Sequence, residues 1–228
     1  MKVIGLLGGT SWPSTISYYE ILNREAQKRL GGFHSANLML YNIDYHPIKS
    51  LYHHGWSQIP SLLADEIHFF LQKKPDCLIL CNNTLHRALD AVRDSLNIQI
   101  PVFHAGHLAV EEAECRGCKK ILLLGTAFTM EDGFFAKYFE DKGIGVIIPN
   151  AHDRTLIQEI QSELAIGNKR DGDEEKFVVL LKRYPEADAI VLACTELPLL
   201  INDSNSPKPI INPIQCQCMA AADFAFIK

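Results

Sequence analysis

The chain has 228 residues, 47% of them hydrophobic and 21% charged, which is ordinary globular composition and enough length to bury one large core or two smaller ones. A net charge of −5 gives no electrostatic footprint for nucleic acid, and no run of about 18 apolar residues reads as a membrane span. Seven cysteines, an odd count beside a large core, argue against a disulfide framework and for a reducing, cytoplasmic setting in which thiols are available for chemistry.

In chain order, the apolar run Val3–Leu7 reads as a buried first strand rather than a signal peptide, since Gly8-Gly9-Thr10-Ser11 follows at once. Ser14–Leu30 is helical, with Ile16, Tyr19 and Leu22 on one side, and Leu38–Ile43 is a second strand. A helix over Ser57–Lys73 carries Leu62, Leu63, Ile67 and Leu71 at turn spacing. Strand Cys77–Cys81, helix Thr84–Leu96, strand Pro101–His104 and helix Ala105–Arg116 follow. The alternation then resumes with strand Lys120–Gly125, helix Glu131–Lys142, strand Val146–Ile148 and helices Arg154–Ile166 and Asp173–Tyr184. Strand Ala189–Cys194, a short strand Pro209–Asn212 and a helix Gln215–Ile227 complete it. Apolar, non-alternating strands interleaved with helices predict an α/β fold with parallel sheets covered on both faces.

Three segments recur in the same order at offsets of about 108 to 117 residues, as a duplicated unit would give. Ile4–Thr10 is echoed by Ile121–Thr126, Leu78–Thr84 by Ile190–Glu196, and Ile100–His104 by Lys208–Asn212. The repeat predicts two similar α/β domains related by a pseudo-twofold axis, residues 1–100 plus 213–228 forming the first and residues 101–212 the second. Ligands of such sheets bind beyond the carboxyl ends of the strands, where each repeat places its cysteine and threonine.

Ala193-Cys194-Thr195-Glu196-Leu197 puts a thiol where a strand stops and a helix is expected to begin. A helix N-terminus favours the reactive thiolate and also a bound carboxylate, to which Thr195 adds a hydroxyl donor. A thiolate beside a carboxylate is arranged to move a proton at the adjacent carbon. In the other half, Cys81-Asn82-Asn83-Thr84-Leu85-His86 offers amide and hydroxyl donors that also suit a turn and a cap. Gly9, Thr10 and Ser11, echoed by Thr126, complete the candidate carboxylate ligands. His86 and Glu196 each stand two residues beyond a site position and are candidates to tune a thiol or its ligand.

With Gly8–Thr15 read as Gly-Gly-Xaa-Ser-Trp-Xaa-Ser-Thr, these two segments resemble the amino-acid racemase branch of the aspartate/glutamate racemase superfamily, over nearly the whole chain. The resemblance implies two Rossmann-like domains with the active site in the cleft between them, a homodimer, no pyridoxal phosphate, no metal and no other cofactor. It also implies a small amino acid or dicarboxylate as substrate, and two bases on opposite faces of its α-carbon. One feature departs from the pattern: Asn82 stands where a cysteine usually precedes Asn-Thr, and Cys81 lies one residue earlier. Adjacent strand residues face opposite ways, so either Asn82 faces the substrate or a local bulge turns Cys81 toward it. Specificity for an acidic side chain needs a cation, for which Lys49 or His46 is the candidate.

Gly8-Gly9-Thr10-Ser11 lacks the glycine spacing of a dinucleotide fingerprint and the lysine of a phosphate loop. Cys115, Cys118, Cys216 and Cys218 have zinc-like spacing, but nothing in the repeat brings the two pairs together, so free thiols are expected. The adjacent His53 and His54, and His104 with His107, show no helical metal-pair spacing. The expected activity is therefore a cofactor-independent racemase of the aspartate/glutamate type, with Cys194 as the acid–base thiol and Asn82 or Cys81 opposite. The alternatives are a single-cysteine lyase or isomerase of a small dicarboxylate, and a catalytically impaired carboxylate-binding homologue.

Overall fold

A computed structural model describes residues 1–52 and 54–226. His53, and the Ile227 end expected for the last helix, lie outside the described residues. The chain divides into two compact units, one formed by Met1–Ala105 with the chain from Gln217 onward, the other by Gly106–Cys216.

The first unit is built on a parallel sheet of β1 (Ile4–Gly8), β2 (Leu38–Asn42) and β3 (Cys77–Leu80), in the order β2-β1-β3. Its helices are α1 (Trp12–Leu30), α2 (His46–Lys49), α3 (Ile59–Leu71) and α4 (His86–Leu96). Leu7, Leu78 and Leu80 bury against Leu63, Ile67, Ala88 and Leu89 of α3 and α4. The strand expected over Pro101–His104 contracts to a single bridge, Leu78 with Val102. Proline has no N–H to extend that ladder. On α1, Ser14, Thr15, Tyr18, Leu22 and Ala26 turn inward, while Ile16 and Tyr19 are exposed. Hydroxyl bonds explain this face: Ser14 Oγ and Thr15 Oγ1 both donate to the Ser11 carbonyl, and Tyr18 Oη donates to Gln217 Oε1.

The second unit repeats the plan. It contains α5 (Ala105–Cys115, entered at its second residue), β4 (Lys120–Leu124), α6 (Ala127–Glu131), α7 (Phe134–Glu140) and β5 (Gly145–Ile147). It continues with α8 (Ala151–Ala165), α9 (Asp173–Leu181), β6 (Ala189–Leu192) and β7 (Ile210–Ile211), before α10 (Pro213–Ala225) leads back to the first unit. The parallel order is β5-β4-β6-β7, so β4, β5, β6 and β7 correspond to β1, β2, β3 and the Val102 bridge. Alternate side chains fill two cores. Leu122, Leu124, Ile190 and Leu192 pack toward α8 and α9, while Ile121, Leu123, Ala189 and Val191 pack toward α5 and α7. Both faces are covered, as apolar parallel strands require. The helix expected over Glu131–Lys142 is the shorter α7, and an additional helix, α6, precedes it; Gly133, at a positive φ of 84°, separates the two.

Candidate active site

In the first unit, the loops after β1 and β3 are tied together: Thr10 Oγ1 donates to the Cys81 carbonyl at 2.8 Å. Gly9 makes the turn. Its φ is 87°, and a Cβ there would lie 2.3 Å from the Ile43 carbonyl oxygen. Its N–H donates to Thr15 Oγ1 at 3.1 Å. Gly9 and Thr10 therefore shape the loop with the groups through which a ligand was expected to be held. Ser11 and Asn83 stand apart. Ser11 Oγ and both polar atoms of Asn83, a residue only 2% exposed, are buried without a hydrogen-bond partner among the described residues. Buried polar atoms are nearly always paired, so orphans beyond the carboxyl ends of parallel strands point to a ligand that supplies the partners. Thr84 is buried beside them.

Side-chain parity separates Asn82 from Cys81. Leu78 and Leu80 share one core, and Asn82 is next on that side; Ile190 and Leu192 share one core with Cys194. Asn82 is thus the counterpart of Cys194. No bulge re-aims Cys81, which is 0% exposed and whose thiol burial pushes far up from its ordinary range. Asn82 Oδ1 accepts the Leu85 N–H at 2.8 Å, which fixes the amide flip and leaves Nδ2 as the outward donor, 3.4 Å from Tyr45 Oη. Tyr45 Oη in turn makes a short hydrogen bond to Tyr52 Oη. Tyr45 lies in the same segment as His46 and Lys49, the candidate cations. Tyr52, with no periodic relation to the site motifs, carries no sequence signal. Lys49 is exposed at the end of α2 with Nζ 4.4 Å from the Tyr52 ring centroid, and His46 is also exposed. His86 is fully buried: its Nε2 accepts the Ala105 N–H at 3.3 Å and its ring lies 4.1 Å from that of His104, so it supports the loop from beneath.

In the second unit, Cys194 and Glu196 are 4% and 5% exposed, and Cys194 Sγ–H donates to Glu196 Oε2 at 2.7 Å. No long helix begins here. A single 3-10 turn, Leu197–Leu199, with Pro198 in it, follows instead. One turn aligns too few peptides for an appreciable dipole, so the thiol's electrostatic partner is the Glu196 carboxylate rather than a helix terminus. Thr195 is buried next to it. Thr126 caps α6, its Oγ1 accepting the Thr129 N–H at 3.1 Å and bonded to Thr129 Oγ1 at 3.0 Å, so its hydroxyl is committed locally. Among the described residues no three His, Cys, Asp or Glu side chains gather as a metal cluster, and all seven cysteines are free. No helix among them is long and apolar enough to cross a membrane.

Residues 7–221 match the family model described as Asp/Glu/Hydantoin racemase. The chain is 21% identical over 220 residues to the broad specificity amino-acid racemase RacX of Bacillus subtilis, covering 94% of each chain. Among solved structures, a putative Asp/Glu racemase from Yersinia pestis superposes with a TM-score of 0.86 at 32% identity over 100% of both chains. An aspartate racemase homologue from Pyrococcus horikoshii superposes with a TM-score of 0.85 at 27% identity, again over 100% of both.

Proposed function

This chain belongs to the Asp/Glu/Hydantoin racemase family and is an isomerase of that kind; on that premise we propose that it racemises a small amino acid of the aspartate/glutamate type without a cofactor, with Cys194 as the acid–base thiol. The observation that carries the reading is the buried Cys194–Glu196 hydrogen bond at the carboxyl end of β6. A carboxylate that accepts the S–H takes the proton as the thiol becomes nucleophilic, and it is held against the sulfur before substrate arrives. The unpaired Ser11 hydroxyl and Asn83 amide support binding of the substrate's carboxylate and ammonium groups by the first unit. Thiolate removes the α-proton, S–H forms, and the electron pair moves into the α-carboxylate as an ene-diolate. Reprotonation from the other face completes inversion. Lys49 is the candidate cation for a distal carboxylate, and a homodimer accompanies the reading.

A second reading is favoured by one observation: Asn82 occupies the position equivalent to Cys194, and Cys81 is sealed. An enzyme with proton chemistry on one face only is a lyase or isomerase of a small dicarboxylate. The test is deuterium incorporation at Cα from solvent, with each enantiomer of an amino-acid panel. Exchange with inversion is expected, lost in Cys194→Ser and kept in Cys81→Ser. Absence of exchange from every enantiomer sinks the racemase reading, and exchange without inversion favours the one-face enzyme.

A further inference from the structure

An amide cannot carry a proton to or from carbon at neutral pH, so a racemase with Asn82 in the place equivalent to its thiol needs another proton carrier in the first unit. The side chain in contact with Asn82 is a phenol. Asn82 Nδ2 lies 3.4 Å from Tyr45 Oη, and Tyr45 Oη is hydrogen-bonded to Tyr52 Oη with the rings nearly perpendicular, at 88°. The direction of this chain is set from its far end. Because Leu85 N–H occupies Asn82 Oδ1, the amide presents only N–H to the phenol. Tyr45 is half-buried and Tyr52 nearly fully buried, so Tyr45 is the member of the pair that reaches a ligand and Tyr52 the one that stands behind it. Tyr45 caps α2 just past β2, and the Ile43 N–H is bonded to the Gly8 carbonyl. That bond fixes the segment at the carboxyl end of the same sheet as Ser11, Asn82 and Asn83.

Resting on the racemase reading, we infer that the Tyr45 phenol, positioned by Tyr52 and Asn82, is the acid–base group that the first unit contributes to the reaction. When Cys194 thiolate has taken the α-proton, the Tyr45 O–H breaks and a new Cα–H forms on the other face. The phenolate left behind accepts hydrogen bonds from Tyr52 O–H and Asn82 Nδ2–H, with the Lys49 cation over the Tyr52 ring. For the other enantiomer the phenolate removes the proton and the Cys194 thiol returns one. The two groups then reset through solvent. No oxidant, reductant or cofactor enters the balance. Tyr45 is thereby a catalytic residue, and Tyr52 and Asn82 are positioning residues.

The experiment compares wild type, Tyr45→Phe and Tyr45→Phe/Asn82→Cys by circular dichroism of the amino acid and by deuterium incorporation. Tyr45→Phe is expected to lower racemisation in both directions by about 100-fold or more, the lower end of what a positioned acid or base contributes. It is expected to keep Cα exchange from the one enantiomer that Cys194 deprotonates. Adding Asn82→Cys, which puts a thiol at the position equivalent to Cys194, is expected to recover at least about tenfold. Undiminished racemisation in Tyr45→Phe, equal loss of exchange from both enantiomers, or no recovery with Asn82→Cys overturns the assignment of Tyr45. Absence of exchange in the wild type overturns the racemase reading and this inference with it, so the two failures are told apart.

Discussion

Replacing Glu196 by Gln changes one oxygen to an amide nitrogen and leaves the side chain's shape intact. In the native protein the carboxylate accepts the Cys194 S–H at 2.7 Å, with both residues at least nine-tenths buried. A hydrogen bond to a charged acceptor contributes about 1.5–3 kcal/mol, or roughly 10- to 100-fold in rate if it is used only at the barrier. If the carboxylate also takes the proton, general-base catalysis adds about 100- to 10,000-fold. Glu196→Gln is therefore expected to lower kcat by about 100-fold or more. KM for the amino acid should change little, because Glu196 acts on the sulfur. Thermal stability should hold or rise, since a buried charge has been removed. Initial rates of optical change from each pure enantiomer, across a range of concentrations, give the kcat and KM split. A variant within about threefold of wild type in kcat would refute the proton-acceptor role. A raised KM with unchanged kcat would instead make Glu196 a substrate ligand.

Asn83→Ala removes orphaned buried polar atoms, so its melting temperature should be unchanged or higher while KM rises by about tenfold or more; a large loss of stability at constant KM would make Asn83 structural. Gly9→Ala places a Cβ 2.3 Å from the Ile43 carbonyl oxygen at a φ of 87° and should cost about 1–3 kcal/mol of backbone strain plus a similar overpacking cost, read by urea denaturation. Alkaline pH should destabilise the fold, because burial pushes Cys77 from 9.0 up to about 11 and Cys216 up to about 12. The folded state keeps protons that the unfolded chain loses, so this stabilisation is complete below about pH 9 and is lost as pH rises through the folded values. For Cys77 the two units correspond to about 3 kcal/mol, and a urea midpoint flat between about pH 9 and 11 would contradict the burial argument.

The order of strands and helices was legible in the chain because apolar runs and turn residues are local signals, and because the second half restates the first. Boundaries moved where a local rule met a specific contact. The helix expected over Glu131–Lys142 begins only after Gly133, behind the additional α6, and the Pro101 segment formed a bridge in place of a strand. The inward face of α1 is set by two polar residues, Ser14 and Thr15. Their hydroxyls bond to the Ser11 carbonyl and turn Ile16 and Tyr19 outward, which no hydrophobic count anticipates.

By itself, the sequence determined the duplicated α/β plan, the family resemblance and the position of Cys194, since each rests on residue types at fixed spacings. It left Cys81 and Asn82 as alternatives, because adjacent residues differ only in which way they point. In the folded chain, strand parity buries Cys81 and sets Asn82 in the place equivalent to Cys194. Tertiary structure alone paired Cys194 with Glu196, left Ser11 and Asn83 without partners among the described residues, and joined Tyr45 and Tyr52 to Asn82. The physical reason is that hydrogen bonds and desolvation depend on distances of a few ångströms between side chains, which only the packed chain sets.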